Sequence, residues 1–236
     1  MPEANYIAHT KEVINTVALK SDRVILFYSG GKDSIVLLDL IAPHFKEIIC
    51  VFMYFVKDME HINRFLSYSQ SRYPNTRFIQ VPHWNLTHLL RGGFYCKPQP
   101  SVPIMTLKDV VRNVKMKYGI QYAFLGMKQA DSLNRRLMLR GYDNEAINEK
   151  SGSVYPLSKW KQADIMAYQQ FHKLPKPIQY TNKKRSQGMG FDIDVFLFLQ
   201  KNYPADLKKI FDQFPLAEQI LFEHEHREHK REIQQV

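Results

Sequence analysis

Five consecutive apolar residues, Val24-Ile25-Leu26-Phe27-Tyr28, run directly into Ser29-Gly30-Gly31, and an apolar stretch from Asp33 to Ile41 follows before Pro43. This junction restricts the chain more than any other feature. A continuous apolar run lacks the alternation of a half-exposed strand, so it suits a strand buried on both faces of a parallel sheet. Adjacent glycines let the backbone turn sharply into the next element. The stretch after them reads as a helix, which Pro43 ends.

The same rhythm recurs. Strands are expected at Glu47–Phe55, Arg77–Val81 and Tyr122–Gly126, and helices at Asp58–Tyr73 and Thr106–Tyr118, with a leading helix over Glu3–Leu19. The predicted fold class is α/β, an open parallel sheet with helices on both faces. Ligands in such sheets sit beyond the carboxyl ends of the strands. Farther on, Gly92–Pro103 reads as a loop, Val154–Leu157 as a short extended piece and Gln162–Leu174 as a helix. Tyr180–Gly190 reads as a basic loop, and Phe191 to the end as helical. An α/β domain over 1–180 and a basic loop with a helical C-terminal extension over 181–236 are expected.

The motif Ser29-Gly30-Gly31-Lys32-Asp33-Ser34 sits between the buried strand and its helix. Unpaired N–H groups at a helix start favour an anion. Ser29 and Ser34 add hydroxyls, and Lys32 adds charge. The string suits a phosphate or pyrophosphate, with Asp33 a candidate Mg²⁺ ligand. It is not a Walker loop, whose glycines have four residues between them, whereas here they are adjacent. A plain strand-to-helix turn needs only the two glycines.

A second motif, Gly126-Met127-Lys128-Gln129-Ala130-Asp131-Ser132-Leu133-Asn134-Arg135-Arg136, follows the fourth strand and falls at the same sheet edge. Gly126 allows a turn. Lys128, Arg135 and Arg136 offer positive charge to phosphate or sulfate. Asp131 and Ser132 are candidates to cap the next helix. A third segment, Tyr155-Pro156-Leu157-Ser158-Lys159-Trp160 with Asp164, Ile165 and Tyr168, reads mainly as packing, Asp164 serving as a cap.

The first motif resembles the PP-loop, SGGxDS, of the N-type ATP pyrophosphatase superfamily. The resemblance implies an adenine nucleotide alpha hydrolase-like fold. It also implies an enzyme that cleaves ATP between the α- and β-phosphates with Mg²⁺, adenylating an acceptor and releasing pyrophosphate. Under it Lys32, Asp33, Lys128 and Arg135 are the catalytic candidates. Ser29, Gly30, Gly31, Lys32, Asp33, Ser34, Gly126, Asp131, Ser132 and Arg136 are the nucleotide-binding ones. The second motif is similar to the G-x-R-x-x-[DE]-S-x-x-R pattern of phosphoadenosine phosphosulfate (PAPS) reductases, matching at Gly126, Asp131, Ser132 and Arg135. The third is similar to that family's PL-x-x-W-x-x-x-D-I-x-x-Y segment.

Two departures stand out. Lys128 replaces the usual Arg and lacks its planar fork. No cysteine follows Cys96, so the family's C-terminal nucleophile is missing and the tail instead carries Glu223-His224-Glu225-His226-Arg227. The iron–sulfur cysteine pairs of adenylyl sulfate reductases are missing too. Reduction by the usual route is therefore not expected. Three readings remain open: an ATP-cleaving enzyme, a PAPS-binding protein completed by a partner's thiol, and a non-catalytic assembly subunit keeping the fold.

Charge bears on the acceptor. Lys and Arg number 33 against 23 Asp and Glu, a net charge of +10. That balance favours an anionic partner, whether nucleotide, nucleic acid or anionic surface. Relatives that modify tRNA or place sulfur in DNA make nucleic acid modification and sulfur transfer the expected settings. The two cysteines, Cys50 and Cys96, form neither a disulfide framework nor a zinc pair. Cys50 lies in an apolar run and reads as a core thiol. Cys96 beside Lys97 is a weaker candidate nucleophile. The tail histidines His224, His226 and His229 share no i, i+4 face and read as a solvated helix. Lys183-Lys184-Arg185 reads as a solvated loop or a phosphate contact. No apolar run is long enough to span a membrane and Met1–Thr10 lacks a signal core, so a cytoplasmic protein is expected.

Overall fold

In the computed structural model the described residues are 5–180 and 190–234, the side chains at 228, 229 and 231–234 excepted. Lys183-Lys184-Arg185 lie outside them. Packing divides the chain into two compact units. The first comprises Met1–Met53, Leu66–Val81 and Leu107–Pro177, and the second Tyr54–Phe65, Pro82–Thr106 and Ile178–Val236.

Helix α1 (Asn5–Ala18) buries Val13, Ile14 and Val17. Strand β1 (Arg23–Phe27) follows, then α2 (Lys32–Ile41), β2 (Glu47–Tyr54), α3 (Glu60–Arg72) and β3 (Thr76–Pro82). Next come α4 (Trp84–Gly92), α5 (Leu107–Tyr118), β4 (Ala123–Phe124), α6 (Leu133–Arg140), β5 (Ile147–Asn148), β6 (Ser153–Val154) and α7 (Gln162–Phe171). Helices α8 (Ile193–Asn202), α9 (Pro204–Gln213) and α10 (Glu218–Gln234) complete the described chain.

The six strands form one sheet in the order β3-β2-β1-β4-β6-β5. β1 runs parallel to β2 and to β4, and β4 parallel to β6, while β5 closes the edge antiparallel. Val24, Ile25 and Leu26 are fully buried. Consecutive buried residues point to opposite faces, so both faces of β1 are covered, as its uninterrupted apolar run requires. The open, mostly parallel α/β sheet is the one expected.

The strand order explains where a ligand goes. From β1 the chain moves outward to β2 and β3, then returns to β4 on β1's other side. The order reverses between β1 and β4, so the loops leaving these two strands flank the crevice in which open α/β sheets bind ligands.

Several details differ from expectation. β4 is only two residues long, although Ile25 and Leu125 extend its backbone bonding to Tyr122 and Val154. Helix α4 was not anticipated. Its N-cap is His83, whose ring nitrogen accepts from Asn85 N–H at 3.1 Å, a role more often taken by Ser, Thr or Asp. Helix α7 stops at Phe171 because Lys173 turns left-handed, φ 51°, ahead of Leu174-Pro175. The expected C-terminal helix is three helices, with Pro204 starting α9 and Pro215 opening the short turn before α10.

In the second unit α8 and α9 gather an aromatic core. Phe191 lies 4.7 Å from Phe214, and Phe196 lies 5.4 Å from Phe211.

Candidate functional site

β1 delivers its chain to the sheet edge, where Gly30 adopts φ 70°, a backbone region that only glycine enters without strain. Gly31 is the extended N-cap of α2 and supplies no capping side chain. The first bond of the helical ladder runs from Ile35 N–H to the Gly31 carbonyl at 3.0 Å. The N–H groups of Lys32, Asp33 and Ser34 therefore precede that ladder, at the positive end of the helix dipole. The hydroxyls are held locally. Ser34 donates to the Gly31 carbonyl at 2.9 Å, and Ser29 Oγ accepts from Gly31 N–H at 3.3 Å.

The loop after β4 comes against this helix start. A Cβ at Gly126 would stand 3.3 Å from Asp33 Cβ and 3.6 Å from the Ser34 nitrogen, so glycine permits the close approach. Two residues on, Lys128 is buried, only 3% exposed. Its ammonium lies 2.9 Å from Asp33 Oδ1 and 3.1 Å from Asp131 Oδ1. Asp33 Oδ2 is 3.2 Å from the Lys32 ammonium, and Asp131 Oδ2 accepts from Arg135 at 2.7 Å. Lys32, Asp33, Lys128, Asp131 and Arg135 thus form one chain of alternating charge with a cation at each end.

That chain is not evenly satisfied. Asp33 Oδ1 is inaccessible to solvent, and its contact with Lys128 has ion-pair distance without hydrogen-bond geometry. Asp131 is better held. Burial alone would raise its pKa. Hydrogen bonds from the Lys128 backbone N–H and ammonium, the Lys128 charge and the Arg135 bond together bring it below the ordinary value.

Of the sequence candidates, Ser29, Gly30, Gly31, Lys32, Asp33, Ser34, Gly126, Lys128, Asp131 and Arg135 meet here. Ser132 is the N-cap of α6, its Oγ accepting from Arg135 N–H at 3.2 Å. Asp131 does not cap α6 but closes the start of the short 3-10 turn Gln129–Asp131, accepting from the Lys128 N–H at 2.9 Å. Arg136 is exposed on α6, one residue and about 100° round the helix from Arg135.

The third segment supports the second. Gln129 N–H donates to the Ser158 carbonyl at 2.9 Å. The Gln129 side chain donates to Glu145 Oε2 at 2.8 Å, and Lys159 lies 3.0 Å from Glu145 Oε1. Neither Gln129 nor Glu145 was legible as a site residue. Trp160 and Ile165 are buried packing, and Asp164 caps α7 by accepting from Lys161 N–H at 2.7 Å.

Among the described residues no group of three or more His, Cys, Asp or Glu side chains is placed to hold a metal. Both oxygens of Asp33 face ammonium groups, which does not suit a resident cation in the free protein. No helix among the described residues is long and apolar enough to cross a membrane.

The family model of the phosphoadenosine phosphosulfate reductase domain matches residues 23–188. No curated protein matches the chain. Solved structures similar to it include these three. The U34-tRNA thiolase NcsA from Methanococcus maripaludis, with its [4Fe-4S] cluster, is 14% identical with a TM-score of 0.47, the match covering 90% of this chain and 79% of that one. PAPS reductase from Candida auris, as a phosphate complex, is 15% identical with a TM-score of 0.48, covering 71% and 81%. NH3-dependent NAD synthetase from Campylobacter jejuni subsp. jejuni, with nitrate ion, is 12% identical with a TM-score of 0.44, covering 93% and 94%.

Proposed function

The chain belongs to the phosphoadenosine phosphosulfate reductase domain family, and from that premise we propose that it binds ATP with the phosphates on the Ser29–Ser34 loop and adenylates an acceptor. An acceptor oxygen attacks the α-phosphorus, the bond to the bridging oxygen breaks, and pyrophosphate leaves. One observation carries this reading. The alternating chain from Lys32 to Arg135 closes on an uncapped helix start, and an arriving phosphate can take the place of a carboxylate in it.

Lys32, Lys128 and Arg135 then stabilise charge on the α-phosphate and the departing pyrophosphate. As the lysines turn to phosphate, Asp33 is released. Asp33 would then be the residue to hold a Mg²⁺ ion carried in by the nucleotide, and such an ion would supply neutralisation of phosphate charge. Arg136 and Ser132 flank the same edge.

The acceptor is anionic in this reading. The first unit holds 20 Lys and Arg against 12 Asp and Glu, so +8 of the +10 net charge belongs to it. Nucleic acid is the large acceptor that such a surface attracts.

A second reading places PAPS in the same loop, its sulfur attacked by a partner's thiol. The family match favours it. The chain's own thiols do not suit the attack, since Cys50 is fully buried in β2 and burial pushes the Cys96 thiol up. Calorimetry with ATP, PAPS and adenosine 3′,5′-bisphosphate, each with Mg²⁺, decides between them. ATP preference together with pyrophosphate release supports adenylation. A preference for the 3′-phosphorylated ligands supports the second reading, and no binding removes both.

A further inference from the structure

We propose that Glu145 is a positioning residue for the phosphate site, acting through Gln129 on the loop that carries Lys128. The inference rests on the nucleotide reading above and extends it to a side chain outside the motifs.

The starting observation is backbone strain. Between α6 and β5 the chain turns at Asp143–Ala146, with Ala146 and Ile147 N–H both donating to the Asp143 carbonyl at 3.0 and 2.8 Å. Asn144 has φ 48° and Glu145 has φ 52°. Two left-handed central residues are what a type I′ turn requires. Asparagine tolerates that region, whereas the second position ordinarily takes glycine, and a long side chain there is strained. These are the only consecutive left-handed non-glycine residues among those described. Strain that a glycine would relieve points to a task for the side chain.

The task is visible in the contacts. Glu145 Oε2 accepts from the Gln129 amide at 2.8 Å. The Gln129 backbone N–H is bound to the Ser158 carbonyl at 2.9 Å, so this residue is gripped at backbone and side chain together. Its neighbour Lys128 is tied by its own N–H to Asp131. Lys128 lies between these two anchors. Its ammonium must sit where a phosphate arrives, and displacement of the loop by about an ångström degrades such a contact. The Glu145–Lys159 ion pair contributes little, because both side chains are more than a third exposed.

The test uses the full chain and calorimetry with Mg²⁺ and ATP. Glu145→Ala and Glu145→Gly each weaken binding about tenfold, while Glu145→Gln, which keeps an acceptor for Gln129, stays within about twofold. Glu145→Gly separates function from folding. Glycine accepts the left-handed backbone, so its Tm lies at or above that of the parent even as affinity falls. In a Gln129→Ala background the Glu145→Ala change adds nothing further, as expected if one residue acts through the other. Parent-like affinity in Glu145→Gly, or an undiminished effect in Gln129→Ala, overturns the proposal. A parent that does not bind ATP, or a Lys128→Gln variant that binds as well as the parent, removes the nucleotide reading itself and this inference with it.

Discussion

At the sheet edge Asp33 lies between Lys32 and Lys128, with Oδ1 buried but not hydrogen-bonded. In the second unit Asp206, equally surrounded by donors, is saturated. Its oxygens accept from the Glu60 and His61 backbone N–H groups at 2.7 and 3.0 Å, and His61 Nδ1 lies 2.7 Å away. With that ring proton given to Asp206, His61 Nε2 accepts the Tyr180 hydroxyl at 2.8 Å. His61 and Asp206 are almost wholly buried. A saturated buried cluster holds a fold together, because every lost partner leaves an uncompensated polar group. An unsaturated chain of opposed charges is suited to exchange, because an incoming anion can replace one of its members.

The largest test of this contrast is Asp206→Ala. It strands three donors and is expected to destabilise the protein by about 3–5 kcal/mol, a fall in Tm of roughly 10 °C for a chain of this size. The nearly isosteric Asp33→Asn is expected to change stability by less than about 1 kcal/mol. Thermal unfolding of both variants checks the ordering, and equal Tm losses would break the distinction. Lys128→Met comes next. Losing a charge-assisted contact to phosphate should weaken ATP binding about 10- to 100-fold, measured by the same calorimetry. Unchanged affinity would mean that the alternating chain is structural after all.

Acid separates the two clusters by pH. Burial holds the His61 pKa below its ordinary 6.5, although the hydrogen bond and charge of Asp206 oppose this. The folded value lies below the unfolded one, so the unfolded chain binds the proton first. The stability from His61 is complete above 6.5 and is lost as pH falls through the folded value. Asp131 follows the same sign from its ordinary 3.8, so its stabilisation persists until far more acid conditions. Tm should therefore fall by a few degrees between pH 7 and 5 while the Asp131 pairs stay intact. His9 and His83 are also lowered by burial and act in the same direction. His61→Gln should then reduce the fall without abolishing it. A flat Tm over that range would show that the buried histidine is no liability.

How far each cluster could be read from sequence also differs. The loop from Ser29 to Ser34 was legible because an apolar run, two glycines and a helix stand side by side, and local rules act on neighbours. Its partner loop was legible through strand order, since alternating strands and helices place Lys128 at the same edge. Asp206 and His61 are 145 residues apart, and nothing local marks either. Glu145 was hidden differently. Its contact with Gln129 depends on a left-handed backbone that glutamate does not favour, so propensity argues against the very turn that makes the contact. Helix α4 was missed for a related reason, its cap being a histidine ring.

The smallest expected effect concerns Cys96, the one thiol outside the sheet. Beside Lys97 it invites a reading as a nucleophile, since a neighbouring ammonium lowers a thiol's pKa. Its setting acts the other way. Cys96 is buried, and burial pushes the thiol up. The preceding residue, Tyr95, is left-handed at φ 63°, and its carbonyl accepts from Leu216 N–H at 2.9 Å, so the turn is tied into its own unit. Cys96→Ala should leave nucleotide affinity and pyrophosphate release within about twofold and lower stability by about 1 kcal/mol, for a small buried group removed. Alkylation of the folded protein by iodoacetamide at neutral pH should be slow, because little thiolate is present. A tenfold loss of activity with Tm intact would place this thiol in the reaction, and the phosphate loop would then serve a sulfonucleotide rather than ATP.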